Sequence, residues 1–192
     1  MKVLIGCEES QTICKAFRRL GHDAYSCDIL PTRGNPKWHL QGDIMEHLTG
    51  QWDLIVLHPP CTALCVSGNR WYGKHQPKYA DRLQAIEWTV KLWNSAILNC
   101  RRVALENPVS VIFQHLNKTD LQYIQPWQFG HGETKRTGFA LHNLPRLKPT
   151  NIVDGREPRI FKMPPSATRA RDRSVTYQGI ADAIANQWNF DQ

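Results

Sequence analysis

The chain lacks any long apolar run. Across its 192 residues no uninterrupted hydrophobic stretch comes near the ~18 residues that a membrane span requires. The opening Met1-Lys2-Val3-Leu4-Ile5-Gly6-Cys7 is too short an apolar run for a signal peptide and reads as a first strand. No internal repeat and no low-complexity block interrupts the sequence, so residues 1–192 are read as one domain. The glycine pattern G-x-G-x-x-G is missing after the first strand, which disfavours a dinucleotide pyrophosphate. A disulfide framework is missing too. The six cysteines (7, 14, 27, 61, 65 and 100) are dispersed, several inside predicted strands or helices, which suits a reducing cytoplasm.

What is present is a basic excess. The formal net charge is +7, which suggests an anionic partner. Between His142 and Arg173 eight basic residues face three acids, so this Pro/Arg-rich stretch carries +5 of the +7. A charge-rich loop is equally compatible with simple solvation.

Strands and helices alternate along the chain. Val3 to Ile5 reads as a strand and Glu9 to Leu20 as a helix that stops at Gly21. Asp23 to Asp28 is the next strand, and Gly42-Asp43-Ile44 follows a Pro/Gly-rich loop. Asp53 to Leu57 is a strand, residues 62–81 a long polar and basic loop. Arg82 to Asn99 is a helix with Leu83, Ile86, Val90, Trp93 and Ile97 at three- and four-residue steps. Val103 to Glu106 is another strand. Trp127–Phe129 and Thr137–Leu141 are expected to pair antiparallel at the sheet edge, and Gly179 to Trp188 closes the chain as a helix. This order predicts an α/β fold, a doubly wound and mostly parallel sheet.

The run Trp52-Asp53-Leu54-Ile55-Val56-Leu57-His58-Pro59-Pro60-Cys61 is the most informative. Ile55, Val56 and Leu57 suit a strand covered on both faces. Pro59 cannot donate to a ladder and forces His58 to be extended, so the strand ends there. Cys61 then stands at the carboxyl end of a strand, where open α/β sheets bind ligands. The rigid Pro59-Pro60 pair restricts the sulfur, which suits a nucleophile. Ala104-Leu105-Glu106-Asn107-Pro108 places a polar pair at another strand end. A thiol and a carboxylate facing one pocket make sense if the thiolate attacks an electron-poor ring that the acid protonates.

The first strand–loop–helix, Gly6-Cys7-Glu8-Glu9-Ser10, allows close ligand approach at Gly6 and offers helix N–H groups. Its acids argue against phosphate and suit a cationic or amine-bearing ligand. Asp28 stands about 20 residues after the glycine, where doubly wound folds place an acid on a ribose hydroxyl; a solvated or capping acid is the alternative. Asp43 is a third candidate on the same edge. Together these positions suit an adenosine-type cofactor without phosphate, and S-adenosylmethionine fits.

The ordered set of motifs resembles the cytosine-C5 DNA methyltransferases, particularly small phage-type members, over most of the chain. Gly6 to Ser10 resembles their cofactor loop, Gly42-Asp43-Ile44 their Gly-Asp-Ile element, Pro59-Pro60-Cys61 their catalytic Pro-Cys, and Glu106-Asn107 their Glu-Asn pair. Lys135-Arg136 takes the place of their basic strand, and Thr176 to Ala181 resembles their C-terminal cofactor element, including Gly179 and Ala181. The resemblance implies a Rossmann-like methyltransferase fold. It also implies S-adenosylmethionine as donor, DNA as partner, no metal, and attack of Cys61 on cytosine C6 with Glu106 on the ring. It implies a base flipped from duplex DNA, with loop 62–81 closing over it and segment 142–173 contacting phosphates. Bacterial or phage-infected cytoplasm is the expected location, with no membrane contact and no obligate protein partner evident.

The sequence departs from this family in places. The glycine-rich loop is replaced by Cys7-Glu8-Glu9. The third position of Glu-Asn-Val is Pro108, and the basic strand lacks its full pattern, leaving Lys135 and Arg136 as alternatives. About thirty residues separate that strand from the C-terminal element, too few for a large target-recognition domain, so short or relaxed specificity is expected. Three rivals are a zinc nucleobase deaminase, a DNA-binding protein without turnover, and an enzyme of free cytosine nucleotides. The deaminase needs C-x2-C after its H-x-E, whereas Cys61 and Cys65 are spaced C-x3-C and precede His131-Gly132-Glu133. An amino-group methyltransferase needs no cysteine nucleophile, and Cys61 argues against one.

Overall fold

Burial alternates residue by residue in the central strands, and this decides the architecture. Val3 and Ile5 are buried toward one core, Leu4 toward the other. Leu54 and Val56 against Ile55 and Leu57 repeat the pattern. Strands buried on both faces require helices on both faces. The computed structural model, which describes residues 1–117 and 119–190, has this three-layer form.

Seven strands make one sheet: β1 (Lys2–Gly6), β2 (Asp23–Asp28), β3 (His39–Gln41), β4 (Leu54–Leu57), β5 (Val103–Pro108), β6 (Asp120–Ile124) and β7 (Thr137–His142). Their spatial order is β3-β2-β1-β4-β5-β7-β6. The first five are parallel, while β7 runs antiparallel between β5 and β6. Strand order reverses direction between β1 and β4, so the crevice at their carboxyl ends is the topological switch point. The helices are α1 (Thr12–Arg19), α2 (Asn69–Tyr72), α3 (Tyr79–Asn99), α4 (Arg159–Lys162), α5 (Arg169–Ser174) and α6 (Gln178–Gln187). α1 and α6 pack on one face of the sheet and α3 on the other. Gly21, at φ +83°, terminates α1 as its position predicts. None of these helices is long and apolar enough to cross a membrane.

The structure corrects the sequence reading at several points. Trp127–Phe129 is not a strand. Pro126 to Gln128 form a 3₁₀ turn, closed by mutual Gln125 and Gln128 contacts, because Pro126 brings a fixed φ and no N–H. The partner of β7 is instead Asp120–Ile124. α1 begins at Thr12 rather than Glu9, because Gln11 adopts a left-handed conformation and ends the preceding loop. β5 continues through Pro108, which pairs with Thr137 at the last ladder position, where a proline interrupts least.

Residues 62–81 are not one open loop: they contain a 3₁₀ turn (Val66–Gly68), α2 and the first residues of α3. The buried stripe of α3 is Arg82, Thr89, Leu92, Trp93 and Ala96, whereas Leu83 is half-exposed. The helix is apolar enough to bury either stripe, and the contacts of Arg82, given below, select this one. The Pro/Arg-rich segment 142–173 carries the short helix α4 and most of α5.

Candidate active site

Cys61 is held by contacts from three directions. The His58 N–H donates to Gly6 O at 2.9 Å, joining the exit of β4 to that of β1. Fully buried Asn107, near the end of β5, donates its amide to Pro59 O at 3.0 Å. Buried Arg82 reaches from α3 to Ala63 O (2.7 Å), Cys65 O (3.0 Å) and Asn69 Oδ1 (2.7 Å). A guanidinium fork that collects three acceptors gives this turn a fixed shape. Within it, the Cys65 N–H donates to Cys61 O at 2.9 Å.

This setting activates the thiol. Donation from the Cys65 thiol is the largest influence, and with Lys135 it outweighs burial and the charge of Glu106. Cys61 is brought down to about 7. The reciprocal effect drives Cys65 strongly upward. Cys61 is also the less buried thiol of the two, as a nucleophile must be.

Glu106 stands next along β5, whose Leu105 is in register with Leu57 of β4. Burial pushes its carboxyl up, but His58 and Lys135 prevail, so Glu106 lies below the ordinary carboxylate range. His58 Nδ1 is 3.3 Å from Glu106 Oε2. The two candidate cations separate cleanly. Lys135 acts on both Cys61 and Glu106 and donates to Arg173 O at 2.9 Å. Arg136 is exposed, its guanidinium 4.3 Å from the Tyr123 ring centre. A narrow cleft beside Glu106 is lined by Lys135, Thr137, Phe139, Thr176, Tyr177 and Ile180. Two buried polar atoms here, His58 Nε2 and Asn107 Oδ1, have no hydrogen-bond partner among the described residues. Such atoms cost about 1–3 kcal/mol each, and they cluster at functional sites.

No protein-family model and no curated protein matches this sequence, but solved structures match its shape. One is a protein assigned as a DNA modification methyltransferase encoded within an E. coli prophage. It is 12% identical, with a TM-score of 0.51, and the match covers 80% of this chain and 52% of that one. Another is the Entamoeba histolytica methyltransferase EhMeth, 12% identical with a TM-score of 0.54, over 80% of this chain and 57% of that one. The fold is that of the Rossmann-like methyltransferases. This chain spans a little over half the length of each of these two structures.

Of the remaining candidates, Gly6 to Ser10, Asp28 and Asp43 lie along the carboxyl ends of β1, β2 and β3, and Gly179 and Ala181 lie on α6. Gly6 is required by packing, because a Cβ there would come within 2.8 Å of Ile44 and Leu57 side-chain atoms. Cys7 is left-handed (φ +59°), and burial, reinforced by Asp28 and Asp43, drives its thiol strongly upward. Glu8 and Glu9 do not present charge to a cationic ligand, contrary to the sequence reading. Glu8 is buried and accepts from the N–H groups of Ile13 (2.7 Å) and Cys14 (3.2 Å), so it caps α1. Glu9 is held by Arg33 (2.6 Å) and Arg171 (3.0 Å). Ser10 Oγ lies 3.1 Å from Thr12 Oγ1.

Asp28 and Asp43 retain capacity. Asp28 Oδ1 accepts from Leu30 N at 2.9 Å and Asp43 Oδ1 from Met45 N at 3.0 Å. Two partly free carboxylates beside Cys7 suit the hydroxyl and amino donors of an adenosine, so this edge fits S-adenosylmethionine. Gly179 is pressed against the Phe129 carbonyl and donates its N–H to His131 Nε2 at 3.0 Å. Ala181 is fully buried in the core that α6 shares with α1. Both meet a packing need.

In segment 142–173, Arg146, Arg159, Lys162 and Arg171 pair with Asp120, Glu133, Glu157 and Glu9. Sequence reasoning missed His58, Arg82 and Cys65. For Arg82 a signal existed, since it falls seven residues before Thr89 and eleven before Trp93 on one helical face. For Cys65 the signal was its spacing of four from Cys61. A histidine before two prolines carries no such pattern.

Proposed function

We propose that this protein transfers a methyl group from S-adenosylmethionine to C5 of cytosine in DNA. The observation that carries this reading is the placement of Cys61 and Glu106 at the ends of neighbouring parallel strands, joined through Asn107 and Pro59. That pairing suits conjugate addition to a pyrimidine. The Cys61 thiolate bonds to C6 as the C5–C6 π electrons move toward C5, while Glu106, having taken a proton from solvent, donates it to N3, accepts from the 4-amino group and recovers that proton when the product forms. Lys135 stabilises the thiolate beforehand. S-adenosylmethionine, held through Asp28 and Asp43, supplies the electrophilic methyl group. Loss of the C5 proton to solvent then expels the thiolate and regenerates Cys61.

Arg70, exposed Trp71, Lys74 and Lys78, with the cations of segment 142–173 that form no ion pair among the described residues, supply phosphate and stacking contacts. Contacts of this kind position a substrate without reading its sequence, which accords with short or relaxed specificity. The test is incubation with duplex DNA and methyl-labelled donor, followed by nucleoside analysis. Label in 5-methylcytosine that disappears with Cys61→Ala is the expected result. The engagement of Glu8 and Glu9 favours one second reading, a DNA-binding protein without turnover; it predicts DNA binding with no label.

A further inference from the structure

His58 is used by no step above, yet it sits between the two halves of the site. Its side chain is 10% exposed. Its backbone N–H is bonded to Gly6 at the root of the cofactor loop. Its Nδ1 faces Glu106 Oε2 at 3.3 Å. An ionised carboxylate only accepts, so Nδ1 carries the proton and donates. Nε2 is buried and has no partner among the described residues. Glu8, at the mouth of α1, lies within Coulombic reach of the ring. A histidine that merely filled the core would not hold one ring nitrogen against a carboxylate and leave the other buried and unmatched.

We infer that His58 is the positioning residue for Glu106, fixing its orientation and charge and linking the cofactor loop to the catalytic carboxylate. The inference rests on the methyl-transfer reading. The charged groups facing this pair are Glu8 from the β1–α1 loop, Lys135 from the β6–β7 loop and Cys61 from the turn after β4. Without His58, burial acts on Glu106 against Lys135 only, so its carboxyl rises. Glu106 then gains a proton more readily and repels the Cys61 thiolate less. The pH at which Cys61 becomes reactive should therefore move down, while turnover falls because Glu106 is no longer held in place.

The experiment uses the full chain and compares wild type with His58→Ala and His58→Gln. Cys61 alkylation by iodoacetamide is followed against pH with no cofactor present, and kcat and KM for DNA are measured alongside. For His58→Ala we expect kcat to fall by about 10²-fold, KM to stay within about threefold, and the alkylation midpoint to drop below the wild-type value. His58→Gln keeps an amide that can donate to Glu106 and should recover about tenfold of the lost kcat. An unchanged kcat in His58→Ala overturns the inference. So does equal impairment of both variants with an unmoved alkylation midpoint, the mark of a packing role. If wild type makes no 5-methylcytosine but the midpoint still drops in His58→Ala, the methyl-transfer reading fails while the His58–Glu106 link stands.

Discussion

The two ends of one sheet edge hold similar residues in opposite states. At β4 and β5, Cys61 is brought down to about 7 and buried polar atoms of His58 and Asn107 stay unmatched. At β1, Cys7 is driven up by burial, and the carboxylates of Glu8 and Glu9 are occupied by helix amides and arginines. A cysteine or glutamate at a strand end is thus reactive or inert according to what its neighbours leave unsatisfied. One end is prepared for bond-making, and the other is built to hold its loop still.

The contrast is broken most directly by activity. Cys61→Ala should lower methyl transfer by at least about 10⁴-fold, whereas Cys7→Ala should change it by no more than a few-fold. Equal losses in the labelled-donor assay would erase the difference between the two ends. A smaller effect is expected from thiol chemistry. In the folded protein at pH 7, Cys61 should react with iodoacetamide roughly tenfold faster than a free cysteine, and peptide mapping should find Cys7, Cys14 and Cys27 unmodified.

Stability sharpens the comparison further. Arg82→Ala strips three acceptors of their donor and should cost about 3 kcal/mol in denaturant unfolding. Arg82→Lys should recover only part of that, because an ammonium cannot reproduce the fork. Glu8→Ala removes the cap of α1 and should cost about 2 kcal/mol. An unchanged midpoint would mean that the first loop is held by Gln11 and Glu9 instead.

The smallest effect concerns pH. Partial burial raises the Glu9 carboxyl, but Arg171 and Arg33 outweigh it and hold it below the usual range. A carboxylate depressed by folding stabilises the protein above its unfolded pKa, and that contribution is lost as pH falls through its folded pKa. Between roughly pH 6 and 3, wild type should lose about 1 kcal/mol more than Glu9→Gln, a modest figure because the arginines are partly exposed. Parallel melting curves for the two proteins would show that this ion pair does not hold α5 to the β1–α1 loop.

Much of the fold follows from local pattern. Continuous apolar runs at Val3–Ile5 and Leu54–Leu57 can be satisfied only between two helical layers, and Pro59 has to end its strand wherever the chain goes next. Where two segments compete on equal local terms, local pattern fails. Trp127–Phe129 reads as the edge strand, but Pro126 opens a 3₁₀ turn there and Asp120–Ile124 pairs with β7 instead. The stripe read on α3 placed Leu83 inward, whereas Arg82 turns in to the carbonyls of Ala63 and Cys65 and leaves Leu83 half-exposed.

The sequence by itself determined the mostly parallel sheet and the placement of Cys61 and Glu106 at the ends of strands, because periodicity and proline act locally. Only the tertiary structure decided which thiol is activated, that Lys135 rather than Arg136 faces the site, and that Glu8 and Glu9 are occupied. Charge state and hydrogen-bond satisfaction depend on neighbours far apart in the chain, such as Lys135 beside Glu106 or Arg171 beside Glu9, and no local pattern carries that information.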